Sequence, residues 1–240
     1  MTWLLPLMVV FAAGLIQGLT GFGFALVSAP LLSILMEPRM AMPIVITHGS
    51  LVTLLLLPEA WRWIDLKMVI PLAASGLVGI PLGAYLLRVV EGDILRVVVG
   101  LLVVIFSILL LLRVEGVGSS SRWMILPVGF LSGLLGGSTT MSGPPVILFL
   151  AHTGVEKRVF RASLIAYFTL LGLTAIPTYI LHGLINERSL IWILLLLPSM
   201  ALGALLGARL SRRIEETVFR RIALLITLAS GALSIAIGLS

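Results

Sequence analysis

The chain has 240 residues, 60% hydrophobic and 11% charged, with a formal net charge of +6 and a mean hydropathy of +1.20. Soluble domains carry roughly 25% charged residues, so this sequence lacks the polar side chains to cover a globule in water. Its positive charge reads as loop charge that orients a membrane protein, not as a nucleic-acid surface. Without cysteine there is no disulfide, thiolate metal site or cysteine nucleophile.

The charges fall in clusters that leave eight uncharged runs. Run 1–36 comes first. No Lys or Arg precedes Arg39, so it reads as part of the mature fold and not as a signal peptide. A straight helix of that length is about 54 Å long against an apolar membrane thickness of ~30 Å. Two full spans and a turn would need more residues than it has. The run therefore predicts two shorter helices meeting at a glycine-rich break, Gly18–Gly23. Runs 40–58, 68–87 and 97–112 each approach the ~20 residues of one transmembrane helix.

Run 123–155 is again too long for one span, and it carries GLLGGSTTMSGPP at 133–145, which predicts a second break over Gly133–Gly143. Non-helical backbone is tolerated in a bilayer only where it lines a cavity or is buried in protein. Small residues at such a place also serve close helix packing, which suits Gly79/Gly83 and Gly203/Gly207 best. Runs 162–186, 189–208 and 222–240 complete the chain, and all five tryptophans lie at or near run ends, as an interfacial belt requires. The expected fold is an all-α, multi-pass membrane protein with six spans and two broken segments.

The chain also aligns with itself. Leu19–Gly23 matches Leu134–Ser138 at a shift of 115, Ile46–His48 matches Ile165–Tyr167 at 119, and Gly79–Ala84 matches Gly203–Ala208 at 124. Two repeats follow, 1–121 and 122–240, each with one broken segment and three spans. Such duplication is a feature of secondary transporters, whose site lies between the repeats. If the repeats are inverted, twelve Lys/Arg fall on the cytoplasmic side and four outside. If they are parallel, the division is eleven to five. Inversion is preferred because it brings both breaks to the midplane from opposite faces.

All ten carboxylates lie outside the uncharged runs, which disfavours cation carriers and proton pumps. An anion instead suits helix amino termini, free N–H groups and hydroxyls. Thr20, Ser28, Ser138, Thr139, Thr140 and Ser142 stand near the breaks. The hydroxyls equally suit broken backbone that has no other partner. His48, at the position of Tyr167, would donate to the anion, shuttle a proton or simply bridge helices. The charges of 156–161 read mostly as a solvated cytoplasmic face, but Arg161 opens the span after the second break and would reach an anion at the cavity mouth. His152 and His182 are interfacial, and three scattered histidines make no metal site. The basic cluster 209–221 reads as a topology signal with anionic-lipid contact.

The expected binding set is Thr20, Gly21, Phe22, Gly23, His48, Gly136, Gly137, Ser138, Thr139, Thr140, Ser142, Arg161 and Tyr167. The expected partners are a small anion and membrane lipid, with no nucleic acid, cofactor or metal. Assembly with further copies stays open.

The blocks GLTGFGFALVSAPLL and GLLGGSTTMSGPPVILFL, with EKRVFRASL after the second, resemble the TauE/SafE family of sulfite and organosulfonate exporters over nearly the whole chain. The resemblance implies a carrier of a small sulfur-containing oxyanion in the cytoplasmic membrane and no enzymatic activity. The sequence departs from the family pattern of three adjacent glycines in each block, at Gly21–Ala25 and Gly136–Thr140. A transporter or channel for another anion such as a carboxylate, an intramembrane enzyme and an assembly subunit remain the alternatives.

Overall fold

A computed structural model describes residues 3–111, 122–211 and 216–239. The charges Arg113, Glu115, Arg212, Arg213 and Glu215, and the side chains of Arg122, His152, Glu216, Arg220 and Arg221, lie outside that description. In chain order the helices are α1 (Leu4–Thr20), α2 (Phe24–Leu35), α3 (Pro38–Ala60), α4 (Leu66–Val89) and α5 (Gly92–Leu111). They are followed by α6 (Ile125–Thr139), α7 (Gly143–His152), α8 (Lys157–Leu181), α9 (Glu187–Leu210) and α10 (Glu216–Gly238). No strand occurs among the described residues. Helix starts follow local chemistry: Pro38 opens α3, the Asp65 carboxylate accepts the Lys67 N–H at 3.0 Å, and Asn186 and Ser189 cap α9 reciprocally.

Among the described residues, α3, α4, α5, α8 and α9 are long and apolar enough to cross a membrane. Their outward faces carry large exposed hydrophobics such as Leu54, Val78, Leu101, Leu173 and Leu194. Water would not tolerate so many, and lipid does. The chain is a multi-pass, all-α membrane protein.

Both long runs are interrupted, but by less than their glycine content suggests. α1 continues through Gly18 to Thr20, and α6 through Gly133, Gly136 and Gly137 to Thr139. The breaks are Gly21–Gly23 and Thr140–Ser142, which corrects the expected Gly18–Gly23 and Gly133–Gly143. Packing explains the difference. A Cβ at Gly18 would lie 2.3 Å from the Ala204 carbonyl oxygen, and one at Gly133 would lie 2.0 Å from that of Gly76. Backbone meets backbone there. Such contact outweighs the helix propensity of glycine, about 1 kcal/mol below alanine.

These glycine seams join α1 to α9 and α6 to α4, the most extensive packings among the described residues. Both pairs run parallel. The Ser199 hydroxyl donates to the Leu7 carbonyl at 2.7 Å, and Gly18 lies against Ala204 and Ala208. Likewise Gly129 lies against Leu72, and Gly137 against Ile80 and Ala84. By contrast α3 and α8 run antiparallel. Gly172 abuts Ser50, while Asp65, beyond the end of α3, donates its N–H to the Ser163 hydroxyl at 3.1 Å. α5 and α10 are antiparallel too, with Gly100 beside Gly231 and the Ser234 hydroxyl donating to the Arg96 carbonyl at 3.0 Å.

Helix boundaries in the two halves keep a fixed offset at first. The ends at Thr20 and Thr139, and the starts at Phe24 and Gly143 and at Pro38 and Lys157, all stand 119 residues apart. The glycine blocks by themselves align at 115. The four-residue difference is about one helical turn, so small residues recurring every four positions match in either register.

Replacing Gly133 by Val forces a side chain into the Gly76 backbone and should destabilise the fold by more than about 3 kcal/mol. Replacing Gly154 by Ala meets only open space at φ +66 and should cost about 1 kcal/mol. Thermal unfolding in detergent measures both.

Candidate functional site

At the first break Gly21 and Gly23 take φ values of 84° and 103°, a region that favours residues without a side chain. The Thr20 hydroxyl accepts the Phe22 N–H at 3.3 Å and lies 2.9 Å from the Ile16 carbonyl oxygen. Gln17 bridges the gap from one turn back. Its Oε1 accepts the Phe24 N–H, the first of α2, at 3.1 Å, and its Nε2 donates to the Gly49 carbonyl of α3 at 3.3 Å.

The second break solves the same problem with other groups. Thr140 ends α6 in the left-handed region at φ 63°, donating its N–H to the Gly136 carbonyl at 3.1 Å. The Ser132 hydroxyl bonds the Ser142 carbonyl and accepts the Tyr167 hydroxyl at 2.8 Å. The helix ends are then tied to one neighbour. Arg161 Nη2 donates to the Gly18 carbonyl at 2.9 Å, and the Tyr179 hydroxyl donates to the Gly137 carbonyl at 2.7 Å. Both carbonyls lie in last turns, where no helical N–H reaches them. Both donors belong to α8. At the positions 119 residues earlier, α3 carries Met42 and Ala60.

The two breaks share a cavity of about 60 Å³. Gln17 and Phe22–Leu26 line it from the first broken segment, and Thr140–Pro144 with Ile147 from the second. Val45, Ile46, Gly49 and Ser50 close it from α3, and Phe168, Leu171 and Gly172 from α8. These α3 and α8 residues sit near the middle of their helices. The lining carries no ionised side chain.

Its donors are unequal on the two sides. The first three N–H groups of a helix have no intrahelical acceptor. In α2 that of Phe24 is held by Gln17, and Ala25 and Leu26, which carry the other two, line the cavity. α7 begins Gly143-Pro144-Pro145, and proline has no N–H. Gly143 alone can donate there.

Of the residues expected from sequence, Phe22, Gly23, Thr140 and Ser142 line the cavity. Thr20 braces the first break from behind. At Gly21 a Cβ would lie 2.6 Å from Arg161 Cγ, and at Gly136 one would lie 2.9 Å from Ser142 Cβ. Gly137 packs on α4. Ser138 and Thr139 face their own helix, each donating its hydroxyl at 2.8 Å to the carbonyls of Leu134 and Leu135. Ser28 does the same to Phe24 at 2.7 Å.

His48 is wholly buried behind Phe24, with ring centroids 6.2 Å apart, and Tyr167 lies behind the second break. Arg161 reaches the end of α1, not the cavity lining. His182 sits at the end of α8, its Nδ1 2.9 Å from the Thr178 carbonyl oxygen.

Sequence reasoning passed over Gln17, Phe24, Ser50 and Phe168. Gln17 alone left a signal, as the single glutamine of the chain and one set in an uncharged run.

These features define a multi-pass membrane protein organised around a small cavity between two interrupted helical segments, an arrangement met in secondary transporters. A profile of the family described as sulfite exporter TauE/SafE matches residues 6–233. The chain belongs to that family of membrane transporters. No curated protein and no solved structure matches it.

Two substitutions separate bracing from strain. Gln17→Leu leaves the Phe24 N–H unpaired and removes the tie to the Gly49 carbonyl, and should cost about 1–3 kcal/mol. Thr140→Gly relieves a left-handed threonine and should gain about 1 kcal/mol. Melting temperatures of the purified variants give the comparison.

Proposed function

We propose that the protein is a carrier of a small sulfur-containing oxyanion, sulfite or an organosulfonate, which binds in the cavity between the two breaks. The observation that carries this reading is the amino end of α2, where Ala25 and Leu26, whose N–H groups have no intrahelical acceptor, line the cavity at the positive end of a helix dipole. Ser142 and Gly143 add donors from the opposite segment. No carboxylate lines the cavity to attract a cation or repel an anion. Family membership supplies the sulfur chemistry. The carrier reading excludes catalysis as the role of the site.

We further propose that 1–121 and 122–240 are inverted repeats in the cytoplasmic membrane, with each broken segment a hairpin that enters and leaves by one face. The helix directions support this. α3 and α8 occupy equivalent places and run oppositely, as do α5 and α10. The parallel α1/α9 pair starts both helices at the end from which α3 also starts. Twelve of the sixteen Lys/Arg then share the cytoplasmic face.

Reconstituted protein should take up labelled sulfite or a sulfonate with saturation and move no alkali cation; cation flux without anion flux sinks the reading. Ala25→Pro copies the proline of α7 and removes one donor without altering helix geometry. It should weaken anion affinity about tenfold or more, as loss of a hydrogen bond to a charge implies, and leave folded yield intact. Thr139→Val should leave affinity unchanged. A single Arg62→Cys, reporting alone in a chain without cysteine, should label only from the cytoplasmic side.

A further inference from the structure

His48 is the one histidine set within an uncharged transmembrane run among the described residues of α3, α4, α5, α8 and α9. It is wholly buried. Its Nδ1 lies 2.8 Å from the Ile44 carbonyl oxygen, and since a carbonyl only accepts, Nδ1 carries the hydrogen. In a neutral ring Nε2 is then a bare lone pair. That atom is sealed from solvent and makes no hydrogen bond of normal length. The main chain of Ile193 in α9 gives the ring one further, weaker hydrogen-bonding contact. It is stacked on Phe24, the first residue of α2 and part of the cavity wall. The next residue, Gly49, lines the cavity and accepts the Gln17 amide.

We propose that His48 is the proton-binding site that couples anion movement to a proton gradient. This rests on the carrier reading above. Neutral imidazole takes one proton from hydronium, an O–H bond breaking as the Nε2–H bond forms and water leaving, and returns that proton to water on the opposite side. The second N–H gives the ring a donor toward α9. The positive charge sits behind the residue at which α2 begins, where it favours an anion in the cavity.

Among the described residues no charged side chain hydrogen-bonds the ring, Arg62 of the 61–63 turn packed on α3 included. Of the elements packed on α3, the helices α1, α2 and α6 carry no ionisable side chain. α8 brings Lys157, Arg158, Arg161, Tyr167 and Tyr179, α9 brings Glu187, Arg188 and Arg209, and α5 brings Asp93 and Arg96. None of them hydrogen-bonds the imidazole. The sealed ring exchanges its proton only when α2 and Phe24 move off α3. Proton exchange is thereby linked to motion of the broken segment itself.

The test uses proteoliposomes with the membrane potential clamped at zero. Wild-type protein should accumulate labelled sulfite about tenfold for each unit of pH gradient, the ratio that one coupled proton sustains. His48→Gln should still exchange sulfite for sulfite, more slowly or with weaker affinity than wild type, and accumulate none under a pH gradient. His48→Tyr, which copies Tyr167, serves if the Gln variant does not exchange. Wild-type exchange without gradient-driven accumulation overturns the coupling and leaves the carrier reading standing, as does accumulation by an exchanging His48 variant. Wild-type protein that exchanges nothing overturns both. If neither variant exchanges, imidazole NMR of the wild type decides. The His48 ring should gain a proton when sulfite saturates the protein, and a ring that stays neutral overturns the proposal.

Discussion

Interrupting a helix where lipid surrounds the protein strands N–H and C=O groups that no water can satisfy, and the architecture is organised around answering them. At the first break the answers are Gln17, the Thr20 hydroxyl and Arg161. At the second they are Ser132, Tyr167 and Tyr179. Each stranded group costs about 1–3 kcal/mol when left unpaired. Gln17, Thr20, Ser132, Tyr167 and Tyr179 are all buried. Ala25 and Leu26, whose N–H groups come before the first intrahelical acceptor of α2, line the cavity.

The two halves meet this constraint with one geometry and different chemistry. The carbonyls of Gly18 and Gly137 stand 119 residues apart, yet one is held by a guanidinium and the other by a phenol. Both donors come from α8. α3, its structural counterpart, offers Met42 and Ala60 at the corresponding positions. One helix thus ties the ends of both α1 and α6. A shift of α8 disturbs both breaks together, and a shift of α3 acts on the first break mainly through Gln17 and Phe24.

Glycine has two separate roles. Along the α1/α9 and α4/α6 seams it brings backbones into contact within regular helix, where any side chain meets a carbonyl oxygen at 2.0–2.7 Å at positions such as Gly14, Gly79 and Gly133. At Gly21 and Gly23 it instead permits positive φ. The seams hold α1 and α6 against long spanning helices of the opposite half, which keeps the breaks fixed beside the middles of α3 and α8.

Composition, run lengths and charge clustering were enough to determine a multi-pass helical protein with two interrupted segments, because lipid permits few alternatives for an uncharged run. The glycine blocks marked where the interruptions fall to within a few residues. They did not mark which glycines break the helix, since a packing glycine and a turn glycine are identical in sequence and differ only in what lies opposite. For the same reason Ser138 and Thr139 looked like cavity hydroxyls. Tertiary structure turned them onto Leu134 and Leu135, placed the expected Thr140 and Ser142 at the cavity and added Gln17. Which donors face a cavity depends on helix phase at the break, and contacts with helices from the other half of the chain set that phase.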